Sequence, residues 1–259
     1  MRILLTCIAL FCCLLWLQPN ISSAKIDPET AVGVWLFDEG AGDEAEDSSG
    51  KDNHGTINGA DWTDGKFGDA LEFDGGQSVT IESTPDLQLG EKHTMMVWFY
   101  ATDISQHRML ISKNAEYLMR IDVPAEGNRM STFVNIGGWE PRASAGVPPT
   151  NTWVHYAVTY DNSANNDQLI IYVNGKQEAS STRPGNPVGN ANAVDIGKWN
   201  AGSHFVGKID EVAIFKDVLT EEDIQTIMDA GLDGALGGVS PVEPSNKLAT
   251  TWGKLKSNL

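Results

Sequence analysis

Short apolar stretches fill the chain from Ala31 to about Phe215, and Gly, Asn, Asp and Pro separate them. Within each stretch, apolar and polar residues alternate with a period of two, which is typical of half-buried strands. Many short strands at this spacing, with almost no helical periodicity between them, indicate an all-β sandwich or barrel. The pattern predicts strands near 31–37, 68–74, 77–82, 93–101, 108–113, 116–122, 131–137, 152–160, 168–174, 192–197 and 204–215.

Two local signals add a tight turn and one short C-terminal helix. Asn174-Gly175 tolerates the positive φ angles that a type I′ hairpin turn requires. Thr220 can cap a helix and Gly231 can end it, since these are the residue types that favour helix boundaries. Between them lie an acidic first turn, which suits the helix dipole, and one apolar stripe: Glu221, Glu222 and Asp223, then Ile224, Ile227 and Met228.

The N-terminus has the order of a secretory signal peptide. Arg2 supplies a positive charge, an apolar run covers residues 3–17, and small residues stand at Ser22 and Ala24. The alternative is an uncleaved anchor helix, but this run is shorter than the roughly 20 residues that span a bilayer. We therefore predict a signal peptide over 1–24, a secreted, extracellular protein, and no stable membrane insertion after signal cleavage.

The cysteines, Cys7, Cys12 and Cys13, all lie inside this predicted signal peptide. Lipid attachment to Cys13 is disfavoured because Phe11 and Cys12, rather than small residues, precede it. A mature chain without cysteine can form neither a disulfide nor a thiolate metal site.

The charge of the chain disfavours nucleic acid as a partner, and a change in composition near the C-terminus indicates a domain boundary. A formal net charge of −17 at pH 7 disfavours nucleic acid, whose binding depends on Lys and Arg at the phosphates. After about Leu232 the composition changes to Gly, Pro and Ser and then becomes basic. This change predicts one domain over 25–232 and a flexible basic tail over 233–259. The alternative for the tail is a docking peptide with Trp252 as its anchor.

Several segments, in this order and spacing, resemble the LamG-like jelly-roll family of the concanavalin A-like lectin/glucanase superfamily. The resemblance covers about 32–231 and implies a two-sheet antiparallel jelly-roll β-sandwich that recognises other molecules. The segments are VWLFDEGAG from Val34, DSSGKDNHG from Asp47, GKFGDALEFDG from Gly65, TMMVWF from Thr94, WVHYAVTYD from Trp153, LIIYVNGK from Leu169 and FVGKIDEVAIF from Phe205.

Calcium is a candidate ligand of the acidic stretch 38–54. Calcium takes six to eight oxygen ligands, which such a loop can supply, although the EF-hand spacing is missing. The alternative is an acidic face that only contacts solvent. The family resemblance implies a structural calcium at the rim of the sandwich, held by Asp38, Asn53 and Asp210.

A carbohydrate is the second candidate ligand. Trp139 and Trp199 lie in turn-rich stretches where an indole ring can be exposed and can stack on a sugar. Their polar neighbours can hydrogen-bond sugar hydroxyls, which gives a predicted ligand-binding set of Trp139, Arg142, Asn135, Trp199 and Asn200. The alternative is that each loop tryptophan packs only on its own domain.

Catalysis is the least favoured function. The glucanases of the superfamily carry a Glu-x-Asp-x-x-Glu strand motif, which this sequence lacks. Asp210 and Glu211 are adjacent on a predicted strand and are expected to point to opposite faces. They therefore do not predict the carboxyl pair, about 5 Å apart, of a retaining glycosidase.

These observations predict an extracellular, non-catalytic recognition or adhesion module that binds carbohydrate, with calcium as a structural ion. The alternative is a protein-interaction or surface-scaffold module of the same fold. An open aromatic cleft around Trp139 and Trp199 favours the first function, and a flat rim favours the second.

Overall fold

The computed structural model describes residues 26–199 and 202–237. The predicted signal peptide and residues 238–259 of the predicted tail lie outside this range. No helix of the described residues is long and apolar enough to cross a membrane.

Two antiparallel sheets form a sandwich, which confirms the predicted all-β jelly roll. The first sheet has the order β14-β13-β12-β7-β16-β5-β4, and β1 also pairs with β16. Its strands are β1 (Ala31–Trp35), β4 (Asp61–Asp64), β5 (Asp69–Asp74), β7 (Lys92–Ala101), β12 (Trp153–Asp161), β13 (Leu169–Val173), β14 (Lys176–Ser181) and β16 (Val206–Phe215).

The second sheet has the order β11-β10-β9-β8-β15-β6-β3-β2. Its strands are β2 (Glu44–Ala45), β3 (Gly55–Asn58), β6 (Ser78–Ile81), β8 (Arg108–Lys113), β9 (Tyr117–Ile121), β10 (Met130–Val134), β11 (Ala143–Ser144) and β15 (Val194–Ile196). Within the described residues, short 3-10 turns lie at Pro28–Thr30, Pro85–Leu87 and Pro124–Glu126.

The strands that the sequence pattern missed lie mainly at sheet edges. β2, β4, β11 and β14 each end a sheet, where one side has no partner strand and polar residues are tolerated. β14 has the sequence KQEASS without a buried residue, so it carries no apolar alternation. It pairs with β13 through the predicted Asn174-Gly175 turn, in which both φ angles are positive, at 48° and 75°.

The main core lies between the two sheets and contains alternate residues of each strand. In β12, Val154, Tyr156, Val158 and Tyr160 belong to this core, while Ala157 packs on the other side of the sheet. Trp35 is fully buried in the core, and its Nε1 donates to the Asn53 carbonyl at 3.0 Å. The same alternation leaves the outer face of each sheet available for other elements.

Helix α1 (Glu221–Leu236) packs on the outer face of the first sheet. Thr220 caps it: its hydroxyl accepts from the Asp223 amide, and the Asp223 carboxylate accepts from the Thr220 amide. The predicted end at Gly231 is instead a kink with φ 75° and ψ 164°, after which the helix continues to Leu236. The continuation is stabilised because Leu232 and Leu236 are buried beside the sheet.

A buried ion pair fixes two loops at one end of the sandwich. Lys113 Nζ lies 3.2 Å from Glu116 Oε2, and neither side chain is exposed. Lys113 also donates to the Asn190 carbonyl at 2.9 Å, and Glu116 accepts from the Leu89 amide at 2.6 Å. Burial lowers the pKa of Lys113 and raises the pKa of Glu116, while the charge of each partner opposes the shift.

We expect Glu116→Gln to lower the free energy of unfolding by about 3 kcal/mol, because it leaves the buried Lys113 ammonium without its counter-charge. Chemical denaturation at pH 7 measures this change. Glu178→Gln, at an exposed position of β14, is the control and should change stability by about 0.5 kcal/mol or less. Equal stability of the two variants would contradict this role of the ion pair.

Candidate functional site

A small apolar cluster lies on the outer face of the second sheet. It consists of Met109 from β8, Leu118 from β9 and Phe133 from β10, with Trp139 and Trp199 packed against it. The Trp139 ring lies edge-on to Phe133 and to Trp199, with ring centroids 6.3 Å apart in each case. The two tryptophans therefore stand at nearly a right angle over an apolar floor.

Two loops from different parts of the chain bring these tryptophans together. Trp139 lies between β10 and β11, and Trp199 follows β15. β10 and β15 are separated by β9 and β8 in the sheet, so the loops reach across two strands. Mutual backbone hydrogen bonds of 3.2 Å between Trp199 and Gly202 close the second loop.

The tryptophans line a cavity of about 180 Å³. This volume is below the roughly 300–1,000 Å³ of pockets that enclose drug-sized ligands, and it suits a single sugar-sized ring. The lining combines apolar, aromatic and charged side chains: Leu118, Arg120, Phe133, Trp139, Glu140, Arg142 and Trp199.

The structure brings together three of the five predicted ligand residues. Trp139, Arg142 and Trp199 line the cavity, whereas Asn135 shapes the turn, its Oδ1 accepting from the Gly138 amide at 2.9 Å. Asn200 lies outside the described residues.

Sequence reasoning missed the cavity residues that belong to strands. Tyr117, Met119 and Ile121 of β9 point into the main core, and the intervening Leu118 and Arg120 line the cavity. The period-two alternation was therefore a usable signal, because it places Leu118 and Arg120 on the same outer face.

Charged side chains surround the cavity and form a network of ion pairs. The Arg120 guanidinium lies 4.7 Å from the Phe133 ring centroid, and the Arg142 guanidinium lies 5.3 Å from it. Both arginines also lie within 3.0 Å of Glu126 Oε2. Burial alone would raise the pKa of the Glu126 carboxyl, but Arg120, His107 and Arg142 together hold it below its usual value.

Arg183 holds the loop that carries Trp139. Its Nε donates to the Val134 carbonyl at 3.2 Å, and its two terminal nitrogens donate to the carbonyls of Glu140 and Gly138. The Arg183 side chain is largely buried. One planar guanidinium thus ties both ends of the loop together, which makes Arg183 a positioning residue for the cavity.

The predicted calcium ligands Asp38 and Asp210 lie on the other side of the sandwich, around residues 65–69. Asp210 Oδ2 accepts from the Lys66 and Phe67 amides at 2.7 and 3.0 Å, and Asp38 Oδ1 accepts from the Asp69 amide at 2.8 Å. Asp210 Oδ1 is buried and has no hydrogen-bond partner among the described residues. Burial raises the pKa of Asp210 to about 8, and the charges of Glu211 and Asp38 add to this effect.

Glu211 joins this carboxylate group because β16 contains a β-bulge. The pairing with β7 shifts register between Asp210 and Ala213, and Glu211 has a φ of 50°. The prediction of strict alternation at Asp210 and Glu211 is therefore wrong, since a bulge inserts an extra residue. Burial raises the pKa of Glu211 to about 7, with a further contribution from the charge of Asp38.

Asn53 has a different environment from the other two predicted ligands. Its Nδ2 donates to the Val32 carbonyl at 2.7 Å, and its Oδ1 accepts from the Thr84 hydroxyl at 2.8 Å. Both the nitrogen and the oxygen of this buried side-chain amide are therefore used in hydrogen bonds within the fold. The Asp210 carboxylate, with one buried oxygen that has no hydrogen-bond partner among the described residues, fits the hard-oxygen chemistry of calcium better than the Asn53 amide does. Asp38 and Glu211 are the carboxylates whose charges act on Asp210.

Comparison with known proteins identifies the family. The Laminin_G_3 family, of the Concanavalin A-like lectin/glucanases superfamily, matches residues 73–225, which is more than half of the chain. The protein therefore belongs to this family. A comparison with curated protein sequences finds no match.

Solved structures share the fold at low sequence identity. Domain 4 of AbnA, a GH43 extracellular arabinanase from Geobacillus stearothermophilus in complex with arabinotriose, is 22% identical with a TM-score of 0.61. The match covers 77% of this chain and 98% of that domain. The binding domain of botulinum neurotoxin DC in complex with rat synaptotagmin II is 12% identical with a TM-score of 0.58.

The match to this toxin domain covers 78% of the present chain and 52% of the toxin chain. The same domain in complex with SialylT is 13% identical, with a TM-score of 0.60 and the same coverage. At these identities the likeness establishes the fold alone. These neighbours are carbohydrate-binding or receptor-binding domains, as their complexes show.

We expect Arg183→Met to lower the free energy of unfolding by about 2 kcal/mol, because the carbonyls of the Trp139 loop lose a charged donor. Release of this loop should also red-shift the tryptophan fluorescence of the native protein. Arg129→Met, at an exposed position, is the control and should leave both properties unchanged. A native-like spectrum of Arg183→Met would show that Trp139 is held by other contacts.

Proposed function

We propose that this protein is a non-catalytic carbohydrate-binding module whose ligand occupies the cavity lined by Trp139 and Trp199. The observation that carries the proposal is the pair of tryptophans standing over an apolar floor with charged side chains at the rim. This arrangement is a concave aromatic cleft rather than a flat surface, and it therefore favours a glycan over a protein partner.

The chemistry of the cavity matches the two kinds of surface that a sugar ring presents. The C–H face of the ring is apolar and packs on indole rings, while the hydroxyls need hydrogen-bond partners at the edge. Arg142 Nη2, whose nearest carboxylate oxygen lies 3.6 Å away, can donate to a sugar oxygen, and the exposed Glu140 carboxylate has lone pairs left to accept from sugar hydroxyls. The apolar floor and the polar rim of the cavity thus match the two kinds of surface of a neutral sugar ring.

The electrostatics of the rim support binding rather than hydrolysis. A glycosidase needs a carboxylic acid whose pKa is raised so that it can donate a proton near neutral pH. The Glu126 carboxyl beside the cavity has the opposite property, because its pKa is lowered by Arg120, His107 and Arg142 against the effect of burial. It is therefore poorly suited to act as a general acid. The carboxyls with raised pKa values, those of Asp210 and Glu211, lie on the first sheet, away from this cavity.

The structural neighbours support the same function by analogy. A domain of similar fold was solved with arabinotriose and another with SialylT. The toxin domain that was solved with synaptotagmin II supports the alternative, a protein-binding module. The N-terminal sequence supports an extracellular location, in which such a module meets glycans of a cell surface or matrix.

Calcium has a structural role in this proposal, at Asp38, Asp210 and Glu211. These carboxylates surround the 65–69 segment, where the amides of Lys66 and Phe67 already bind Asp210. A cation there would offset the repulsion that the charges of Asp38 and Glu211 exert on the buried Asp210 carboxylate, and it would hold the segment in place. The calcium site lies on the sheet opposite the aromatic cavity, so we assign it no direct part in sugar binding.

We expect Trp139→Ala and Trp199→Ala each to weaken glycan binding by about tenfold or more, as truncation of a central aromatic contact typically does. A glycan array of residues 25–259 identifies the ligand, and calorimetry with that ligand measures the loss. Trp153→Ala, which makes the same change on the first sheet, is the control once its native fold is verified. Unchanged affinity in both cavity variants would exclude this cavity.

We expect millimolar calcium to stabilise the protein by about 1 kcal/mol, as an extracellular site of sub-millimolar affinity would. A thermal melt with calcium or with a chelator measures the effect, which should be a few degrees for a domain of this size. Asp210→Asn should abolish the shift, and Glu178→Gln should retain it. The same calcium shift in Asp210→Asn and wild type would refute the ligand assignment.

A further inference from the structure

We propose that the cavity selects uncharged sugars and rejects carboxylated ones, such as uronic and sialic acids, because its arginines are already neutralised by the protein. This inference rests on the proposed glycan-binding function and specifies the class of ligand. Two arginines beside a sugar-sized cavity would ordinarily indicate an acidic sugar, since guanidinium groups bind carboxylates in a bidentate manner. The hydrogen bonds of these two arginines within the protein instead indicate that they are not available to a sugar carboxylate.

The Nε–Nη2 edge of Arg120 already holds two carboxylates of the protein. Its Nε donates to Asp122 Oδ1 at 2.7 Å, and its Nη2 donates to Glu126 Oε2 at 2.6 Å. Asp122 is itself fully buried, and its second oxygen accepts from the Ser131 hydroxyl at 2.6 Å. This pair is therefore part of the packed structure and does not open without breaking several hydrogen bonds.

Arg142 is committed in a similar way. Its Nη1 lies 3.0 Å from Glu126 Oε2 and 3.2 Å from Glu140 Oε1, and its Nε donates to the Ser144 hydroxyl at 3.2 Å. Its Nη2 lies 3.6 Å from Asp122 Oδ2. Glu126 therefore bridges the two arginines and is the residue whose charge decides what they can still bind.

The balance of charge at the rim is negative. Two arginines face three carboxylates, those of Asp122, Glu126 and Glu140. His107 Nε2 lies 3.2 Å from Glu126 Oε1 and adds positive charge only when it is protonated. A sugar carboxylate would have to displace a carboxylate tethered to the same domain, and it would approach a protein of net charge −17.

The same network of ion pairs makes a metal site beside the cavity unfavourable. His107, Asp122 and Glu126 have ligand atoms within 4.8 Å of one another, a spacing that could hold a metal ion. The oxygens of Asp122 and Glu126 are instead taken by Arg120, Arg142 and Ser131. A divalent cation would have to compete with two permanent positive charges, so the cluster acts as a charge-neutralising wall of the cavity.

A glycan array that contains arabinotriose and matched pairs of neutral and carboxylated sugars tests this inference. The pairs are lactose with 3′-sialyllactose, and galactotriose with trigalacturonic acid. We expect binding to neutral sugars that is lost in Trp139→Ala, and affinity for the carboxylated member at least about tenfold weaker. Binding of carboxylated sugars as tight as that of neutral ones, and equally sensitive to Trp139→Ala, would overturn the selectivity and leave glycan binding intact.

Glu126→Gln is the decisive variant, because it removes the bridging charge and keeps the shape of the side chain. We expect it to bind carboxylated sugars about tenfold more tightly than wild type and neutral sugars with little change. Glu178→Gln removes one negative charge on the far sheet and controls for net charge. Equal behaviour of the two variants would overturn the proposal, and an array with no binding at all would refute the proposed function together with it.

Discussion

Burial of the inner faces of the two sheets is the interaction on which the rest of this structure depends. Because side chains alternate across a strand, filling this core also determines what the outer faces carry. β9 shows the consequence: Tyr117, Met119 and Ile121 enter the core, so Leu118 and Arg120 must project outward, where they line the aromatic cavity. The candidate site is thus a consequence of core packing, completed by two loops.

Buried polar groups fix the positions of loops that lie outside the apolar core. Arg183 ties the carbonyls of the Trp139 loop to the end of β10, and the ion pair between Lys113 and Glu116 fixes loops at the end of the sandwich. Each group loses water on burial and is stable only because its hydrogen bonds are satisfied within the protein. The geometry of the cavity therefore depends on groups outside its lining.

The two outer faces of the sandwich have different electrostatic character. On the second sheet, arginines and carboxylates neutralise one another around aromatic rings. On the first sheet, the carboxyls of Asp210 and Glu211 are buried with raised pKa values, and burial lowers the pKa of the neighbouring His155 to about 3. His155 is therefore uncharged near neutral pH and serves as a packing residue against Trp98. This division separates the candidate glycan site from the candidate calcium site.

The sequence by itself determined the sandwich, the Asn174-Gly175 hairpin and the cap of the helix, because alternation, turn chemistry and capping are local properties of the chain. It also indicated Trp139, Arg142 and Trp199. Only the tertiary structure decided that these residues share one cavity, that Asp210 and Glu211 lie in a bulge, and that the helix continues past Gly231. Strand order, register shifts and the burial of Leu232 and Leu236 arise from contacts between distant segments, which no local pattern encodes.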